Sequence, residues 1–553
     1  MIVYTRIYAC FVFCFLMIIP GKASSNLLEI QDAMERLSPY YKSGLFPELK
    51  SKWKDFKAKK EEEKTTLLDY KQMGISDGMI VPYKSLVRQA RAPNQVDMTD
   101  KEVMEQLSLD TEEGRKQFIW EHGPLNKILT TGKFKGVFTR DFTKLANYIY
   151  SANMRTSQFY APFYDIPLVP KNIRRFVEMT YFNMHNNKIV ALPPNFGSFD
   201  RLEEVNLRNN KLTTLPQAFS NLKGLKTLNL AHNNFTTIPE SVLALKDLEV
   251  LDLSYNNITE IPDAVKSMKN LKFLNLTGND IDKLPESICQ LDKLEELKIA
   301  SNKLQVLPKD MGRLRNLREL IAFNNDISVL PDSLSDLEHL QRLEMFNNKI
   351  SSLPNGFDRL NKLENLILFN NAIQYFPPEL CAMPNLQELN LSGNELITVP
   401  QEIGQMEGLQ WLDLSKNKLV HLPENIGDLH YLVTLDVSKN QIKELPSSIG
   451  DLSFIRMLSA SHNQISEIPD TIGMLGFLEL LYLEDNALSS LPKSVISLHA
   501  LQAIDVSDNN FTSFPVKLVF LNNLMLIRMV NNPYHAVQDF WRQKLPRGGQ
   551  VIY

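Results

Sequence analysis

Side chains that could carry out catalysis are scattered along this sequence rather than grouped. The chain has nine histidines and four cysteines, and none of them has the H-x-x-x-H or Cys/His spacing of a metal site. His185, His232 and His462 are expected on one face of a sheet but lie too far apart to act together. No phosphate-binding glycine loop, dinucleotide fingerprint or serine nucleophile elbow is present. The sequence therefore predicts a non-enzymatic protein with no metal and no cofactor.

One group of side chains does have the chemistry of a protein contact. Three neighbouring segments read ELIAFNND, RLEMFNNK and NLILFNNA, and their phenylalanines are 23 residues apart. An apolar strip rimmed by the charges of Glu319, Arg342 and Glu388 is typical of a protein interface. The predicted partner-binding residues are Ile321, Phe323, Glu344, Phe346, Ile367, Phe369 and Trp411. In the alternative interpretation, the phenylalanines fold against each other and only stiffen the sheet.

A regular repeat must position these side chains. Proline recurs every 23 residues without insertion or deletion, and such self-similarity is typical of a solenoid. The prolines are residues 193, 216, 239, 262, 285, 308, 331, 354, 377, 400, 423, 446, 469, 492 and 515. Each repeat follows the pattern L-x-x-L-x-L-x-x-N-x-L-x-x-L-P-x-x-I-x-x-L. One repeat cannot bury its apolar face alone, whereas stacked repeats can.

Each part of the repeat has a physical role. The L-x-L alternation, as in Leu228 and Leu230, predicts a short strand with one buried face. Because an asparagine side chain both donates and accepts hydrogen bonds, it can satisfy the buried turn after the strand. The predicted asparagine ladder is Asn187, Asn210, Asn233, Asn256, Asn279, Asn302, Asn325, Asn348, Asn371, Asn394, Asn417, Asn440, Asn463, Asn486, Asn509 and Asn532. Proline then redirects the chain, because it fixes φ.

These features identify the chain as a leucine-rich-repeat protein. The 23-residue step with L-P-x-x-I-x-x-L resembles the Ras-group repeats of Shoc-2-like and Erbin/Scribble-type proteins. The resemblance implies a protein-binding scaffold, with phosphatase and small-GTPase partners in the Shoc-2-like case. The expected fold is an α/β solenoid, a curved leucine-rich-repeat horseshoe with a parallel concave sheet. A mainly helical N-terminal region is expected before it.

The chain divides into four predicted segments. Residues 1–23 have the pattern of a secretory signal peptide, with a short apolar run, Ile7 to Ile19, and small residues before a cleavage site after Ala23; the alternative is an uncleaved signal anchor. Residues 24–165 are predicted to form a mainly helical cap, or alternatively an independent partner-binding domain. Residues 166–535 are assigned to about 16 repeats, and residues 536–553 to a C-terminal tail.

The compartment of the protein has two interpretations. Five Asn-x-Ser/Thr sequons are glycosylation candidates if the chain is secreted, namely Asn234, Asn257, Asn275, Asn390 and Asn510. The favoured interpretation is a secreted or cell-surface recognition protein that binds a protein partner on its concave face. The alternative, based on the repeat subtype, is a cytoplasmic Ras-pathway scaffold with an uncleaved amino terminus.

Charge and cysteine content narrow the classes of partner. A net charge of −4 over 553 residues gives no electrostatic footprint for nucleic acid and no basic tract for a membrane. No span of about 18 apolar residues follows the signal segment. Cys10 and Cys14 belong to that segment, whereas Cys289 and Cys381 are four repeats apart. A separation of roughly 19 Å rules out a disulfide between them, so they are predicted to be core fillers.

Overall fold

The structure, a computed structural model, describes residues 157–161, 166–533 and 550–552. The predicted signal peptide, residues 1–23, lies outside the described residues. So does most of the predicted helical region, residues 24–165, and most of the predicted tail, residues 536–553. Every statement of structure below concerns the described part of the chain.

A single 18-stranded parallel sheet runs through the solenoid. Each strand has three residues and pairs with the strand of the next repeat, so that Leu228 of β4 pairs with Val205 of β3 and Leu251 of β5. The strands are β1 Gln158–Tyr160, β2 Tyr181–Asn183, β3 Glu204–Asn206, β4 Thr227–Asn229, β5 Val250–Asp252, β6 Phe273–Asn275, β7 Glu296–Lys298, β8 Glu319–Ile321, β9 Arg342–Glu344, β10 Asn365–Ile367, β11 Glu388–Asn390, β12 Trp411–Asp413, β13 Thr434–Asp436, β14 Met457–Ser459, β15 Leu480–Tyr482, β16 Ala503–Asp505, β17 Leu526–Arg528 and β18 Gln550–Ile552.

The sheet extends beyond both predicted boundaries of the solenoid. Strand β1 lies within the predicted helical region and pairs with β2, so the repeats begin before residue 166. Strand β18 lies within the predicted tail and pairs with β17. The boundaries at 166 and 535 are therefore too narrow. The boundary at 535 is too narrow because the register changes at the last strand: Leu526 pairs with Gln550, a step of 24 residues, whereas the 23-residue period predicts no strand in that register.

Short helical turns form the convex side of each repeat. A proline with extended ψ, such as Pro216 at φ −63° and ψ 146°, precedes most of them. Among the residues that the structure describes, one of these turns is α-helical, α1 Glu240–Leu243. The 3-10 turns are Lys171–Arg175, Pro194–Ser198, Gln217–Asn221, Asp263–Ser267, Glu286–Gln290, Met311–Arg313, Asp332–Asp336, Phe357–Arg359, Pro378–Ala382, Gln401–Gln405, Glu424–Asp428, Ser447–Asp451, Asp470–Met474, Lys493–Ser497 and Val516–Phe520. None of the described helices has the length and apolar character needed to cross a membrane.

Apolar side chains from both sides of each repeat fill one continuous core. Leu228 and Leu230 from the strand side and Val242 from the convex side are fully buried in the same repeat. Cys289 and Cys381 are buried in convex turns and unpaired. Burial raises the pKa of the Cys289 thiol to about 12 and that of the Cys381 thiol to about 11. Both therefore stay protonated and act as small apolar core residues.

The sixteen asparagines of the predicted ladder join successive repeats through their side chains. Asn210 is representative: its Oδ1 accepts from the amide of Ile189 at 2.9 Å. Its Nδ2 donates to the carbonyls of Met184 at 3.0 Å and Leu207 at 2.9 Å. Each asparagine thus satisfies backbone groups of its own repeat and of the preceding one, from Asn187 to Asn532. Buried turns are thereby kept without orphaned polar groups.

Candidate functional site

The seven predicted partner-binding residues lie together on the inner face of the sheet, within or just after strands β8, β9, β10 and β12. Their exposure differs from the prediction. All seven are buried, from 1% exposed for Phe346 to 8% for Ile321. The expectation of an exposed apolar strip on these side chains is therefore wrong, and two features of the described residues account for part of their burial.

The first feature is an inner column of stacked rings, formed by Phe323, Phe346 and Phe369. The ring centroids of Phe323 and Phe346 are 4.3 Å apart with planes at 9°. Those of Phe346 and Phe369 are 4.2 Å apart at 10°. Both faces of Phe346 are therefore covered by its neighbours, and contacts of this geometry stabilise aromatic pairs. The geometry matches the alternative interpretation, in which the phenylalanines fold against each other.

The second feature is a polar cluster on strands β9 to β11. Arg342 Nε donates to Glu344 Oε1 at 2.7 Å, and Asn365 Nδ2 donates to Glu388 Oε2 at 2.7 Å. Burial raises the pKa of the Glu388 carboxyl above its ordinary range. Trp411 is the register partner of Glu388 on the next strand. The charges predicted to form a solvated rim thus include an ion pair and a buried carboxyl.

A row of polar groups, half-buried at Ser301, Asn324 and Asn347 and exposed at Asn370, lies beside the inner column, and sequence reasoning missed it. Asn347 Nδ2 donates to Asn324 Oδ1 at 2.6 Å, and Asn370 Nδ2 donates to Asn347 Oδ1 at 2.7 Å. Asn324 Nδ2 donates to Ser301 Oγ at 3.3 Å. We call Ser301, Asn324, Asn347 and Asn370 the surface amide row. The signal in the sequence is an Asn-Asn doublet in three neighbouring repeats. The predicted asparagine ladder includes only the second asparagine of each doublet, and the first one forms this row.

The backbone explains why asparagine suits this row. Asn324, Asn347 and Asn370 each have φ of 53°, the left-handed region that asparagine tolerates better than most residues. The row ends at Gly393, where φ is 64° and an added Cβ would lie 2.1 Å from Asn370 Oδ1. In other repeats the same position holds a larger side chain. His232 and Tyr255, for example, stack there with ring centroids 4.4 Å apart.

A second aromatic column lies on the outside of the solenoid, in the turns that lead from the convex side into the strands. We call Tyr431, Phe454 and Phe477 the outer column. Its centroid distances are 5.8 Å and 6.0 Å, with planes at 3° and 15°. The three rings are 60%, 48% and 55% exposed. The 23-residue spacing of these three aromatic residues is the signal in the sequence that could have located the outer column.

The five glycosylation candidates differ in accessibility. Asn234, Asn257 and Asn510 are exposed, and Asn275 is half-buried. Asn390 is 2% exposed, and its Oδ1 accepts from the Ser392 amide at 2.9 Å and from Ser392 Oγ at 2.7 Å. Its burial makes Asn390 unsuitable as a surface acceptor in the folded protein, which corrects the prediction for that residue.

Family models for leucine-rich repeats match the chain over one continuous stretch. A leucine-rich repeat region matches residues 220–320, 263–366 and 397–481. A leucine rich repeat matches residues 178–235, and a model of two leucine rich repeats matches residues 361–401. The chain belongs to the leucine-rich-repeat superfamily. A comparison with curated proteins found no match.

Several solved leucine-rich-repeat structures have the same fold as this chain. A leucine-rich-repeat protein of Leptospira interrogans is 26% identical, with a TM-score of 0.57 over 72% of this chain and 90% of that one. A TDR receptor is 27% identical, with a TM-score of 0.59 over 68% of each chain. The ectodomain of the Arabidopsis receptor kinase HAESA, in complex with a peptide hormone ligand, is 27% identical, with a TM-score of 0.50 over 68% of this chain and 69% of that one.

The leucine-rich-repeat fold of this chain is typical of protein-binding domains. Leucine-rich repeats stack into extended concave surfaces that such proteins use for binding. In residues 157–161, 166–533 and 550–552, no group of three or more histidine, cysteine or acidic side chains could hold a metal ion. What the inner face does present is the surface amide row, which crosses four neighbouring repeats.

Proposed function

We propose that this chain is a non-enzymatic recognition scaffold that binds a polypeptide partner on the concave face, across strands β8 to β12. The observation that carries the proposal is the surface amide row, which runs over adjacent repeats next to the inner column. The fold and its receptor-ectodomain neighbours support a protein-binding role. The HAESA ectodomain, whose structure contains a peptide hormone, supports a peptide-like ligand.

The amide row has the hydrogen-bonding groups that a peptide backbone needs. A side-chain amide carries two N–H donors and an oxygen with two lone pairs. In Asn347, one N–H of Nδ2 donates to Asn324 Oδ1, and one lone pair of Oδ1 accepts from Asn370 Nδ2. An amide held in this way keeps capacity for a further donor and acceptor toward a ligand. Because each amide is already oriented by its neighbours, little conformational entropy is lost on binding.

The residues predicted as contacts take a supporting role in this proposal. The rings of Phe323, Phe346 and Phe369 immediately precede Asn324, Asn347 and Asn370 in the chain. Their close stacking fixes the backbone from which the amides project. Glu344, Ile367 and Trp411 belong to the same stretch of sheet and would flank the bound segment.

A peptide-display selection on the full chain tests the proposal. Random 12-residue peptides recovered on the wild-type protein would be titrated against the double variant Asn347→Ala/Asn370→Ala. Loss of two hydrogen-bonding side chains should weaken binding about tenfold. Asn385→Ala is the matched control, because its exposed amide donates to Asn361 O outside the row. Failure to recover any peptide, or equal binding by the double variant, would refute the concave site.

For the compartment, we propose secretion or display at the cell surface. The signal-peptide pattern of residues 1–23 and the exposure of Asn234, Asn257 and Asn510 support it. Amino-terminal sequencing of the mature protein should find cleavage after Ala23, and glycosidase treatment should increase its mobility on a gel. Replacing the three exposed sequon asparagines by glutamine should remove that shift, whereas Asn390→Gln should not change it.

The second candidate is an intracellular Ras-group scaffold, which the 23-residue L-P-x-x-I-x-x-L repeat favours. The same experiment separates the two candidates. An intact Met1 with no glycan would contradict secretion and favour the intracellular scaffold. Cleavage with glycan present would exclude the intracellular candidate.

A further inference from the structure

A groove opens at one end of the outer column, on the opposite side of each repeat from the concave face. It lies between the Gln401–Gln405 and Glu424–Asp428 turns and has a volume of about 500 Å³. Its lining residues are Gln401, Glu402, Gly404, Gln405, Glu407, Asn425, Asp428, His430 and Tyr431. Three of the nine are acidic, and none is lysine or arginine. The groove is therefore electrostatically suited to a cation.

A glycine follows Glu407 of the groove lining in the chain. Gly408 occupies the position that Tyr431, Phe454 and Phe477 occupy in the next three repeats, at 23-residue steps. One face of the Tyr431 ring stacks on Phe454. Because position 408 has no side chain, the outer column ends at Tyr431, and Tyr431 lines the groove. An aromatic face beside carboxylates suits an ammonium or guanidinium group, through cation–π attraction and charge pairing.

Beyond the groove, the outer column continues as an apolar strip. Phe454 and Phe477 remain about half exposed, and Met474, three residues before Phe477 in the chain, is 64% exposed. The ring spacing of 5.8–6.0 Å is close to the roughly 6.6 Å advance of two residues in an extended chain. Alternate side chains of an extended segment can therefore follow the column ring by ring.

We propose that the groove and the outer column together form a docking site for an extended polypeptide segment that carries one basic side chain followed by apolar side chains at alternate positions. The basic side chain enters the groove against Tyr431, with Glu402, Glu407 and Asp428 around it. The apolar side chains pack on Phe454 and Phe477. The site is separate from the proposed concave site, and it does not depend on it.

Fluorescence polarisation with synthetic peptides tests this site on the full chain. The probe contains Arg-Ser-Leu-Ser-Leu, made in both chain directions. One comparison peptide has Glu in place of Arg, and another has Ser in place of both Leu. We expect saturable binding of the basic, apolar probe below about 1 mM, and at least about tenfold weaker binding of both comparison peptides.

Variants locate the binding. Glu407→Lys and Glu402→Lys reverse charges in the groove, and Gly408→Tyr extends the column by one ring before Tyr431, where the basic side chain would lie; each should weaken binding of the probe at least about tenfold. Phe520→Ser is the matched control, since Phe520 is 63% exposed but lies outside the column, and it should bind normally. Circular dichroism melts verify that each variant is folded. Absence of saturable binding, equal binding of all three peptides, or normal binding by folded groove variants would each overturn the proposal. Retained binding by Asn347→Ala/Asn370→Ala would confirm that the site is separate from the concave face.

Discussion

The inner and outer aromatic columns are built from the same 23-residue step, yet they differ in spacing and burial. The rings of Phe323, Phe346 and Phe369 are 4.2–4.3 Å apart and buried. Those of Tyr431, Phe454 and Phe477 are 5.8–6.0 Å apart and about half exposed. Hydrogen bonding fixes the strands at about 4.8 Å, so a curved stack compresses its inner side and spreads its outer side. Curvature therefore makes one column a packed support and leaves the other accessible.

The columns also differ in what surrounds them. The inner column lies between the surface amide row and a polar cluster that includes the Arg342–Glu344 ion pair. The outer column has a groove at one end and an exposed methionine, Met474, three residues before Phe477 in the chain. Aromatic side chains in a repeat protein are thus not sufficient to mark an interface. Their side of the repeat and the contact distance to the next ring decide the role.

Removing the middle ring of each column should give the largest contrast. Phe346→Ala should lower the free energy of unfolding by about 2–3 kcal/mol, less than for a phenylalanine in a fully enclosed core because the column lies on the sheet face. Phe454→Ala should cost less than about 1 kcal/mol, because its ring is already half exposed. Urea unfolding midpoints would measure both changes, and amide hydrogen exchange in strands β8 to β10 would locate the effect of Phe346→Ala. Equal losses would show that ring spacing does not determine the contribution.

The repeat and its hydrogen bonding could be predicted from the sequence because each depends on local, periodic residues. The proline and asparagine periods gave the parallel strands and the asparagine ladder, since one repeat with its neighbour is sufficient to form both. Strand β18 could not be predicted, because its 24-residue register breaks the period. Strand β1 keeps the 23-residue step, and Pro170 keeps the proline landmark, but the ladder asparagine is replaced by Tyr164, so the pattern is incomplete there.

Side-chain exposure was harder to predict than backbone position. Phe346 was correctly placed on the inner face, but the pattern does not contain the distance between rings on adjacent repeats. The same applies to Asn390, whose bond to Ser392 is a feature of the folded turn. The outer column ends at Tyr431 because Gly408 stands one step before it, a difference between two repeats rather than a property of the consensus. A consensus pattern describes what repeats share, whereas sites arise where they differ.

Glycines near the two columns provide a second contrast, of intermediate size. Gly393→Ala places a side chain at φ 64° and brings Cβ within 2.1 Å of Asn370 Oδ1. The left-handed backbone and the displaced amide should together cost about 1–2 kcal/mol. Gly476→Ala, in the turn beside Phe477, meets no atom within 4 Å and should change stability by less than about 0.5 kcal/mol. Thermal melts of the two variants would measure the difference, and a neutral Gly393→Ala would show that the surface amide row adjusts freely.

Extending the outer column by one ring should have the smallest effect and tests whether its rings stabilise one another. Gly408→Phe places a ring one repeat before Tyr431, and its Cβ would lie 3.1 Å from Pro384 O, which requires only a small shift. The reduced freedom of the unfolded chain and the new ring contact should raise stability by about 0.5 kcal/mol. Gly224→Phe is the matched control, because the same position of the next repeat there holds Asp247 rather than an aromatic residue. Urea midpoints would measure the gain in stability of each variant. The gain of Gly408→Phe minus that of Gly224→Phe gives the contribution of the ring contact alone. Equal gains would mean that rings about 6 Å apart do not support each other, and that the outer column is retained for a partner rather than for the fold.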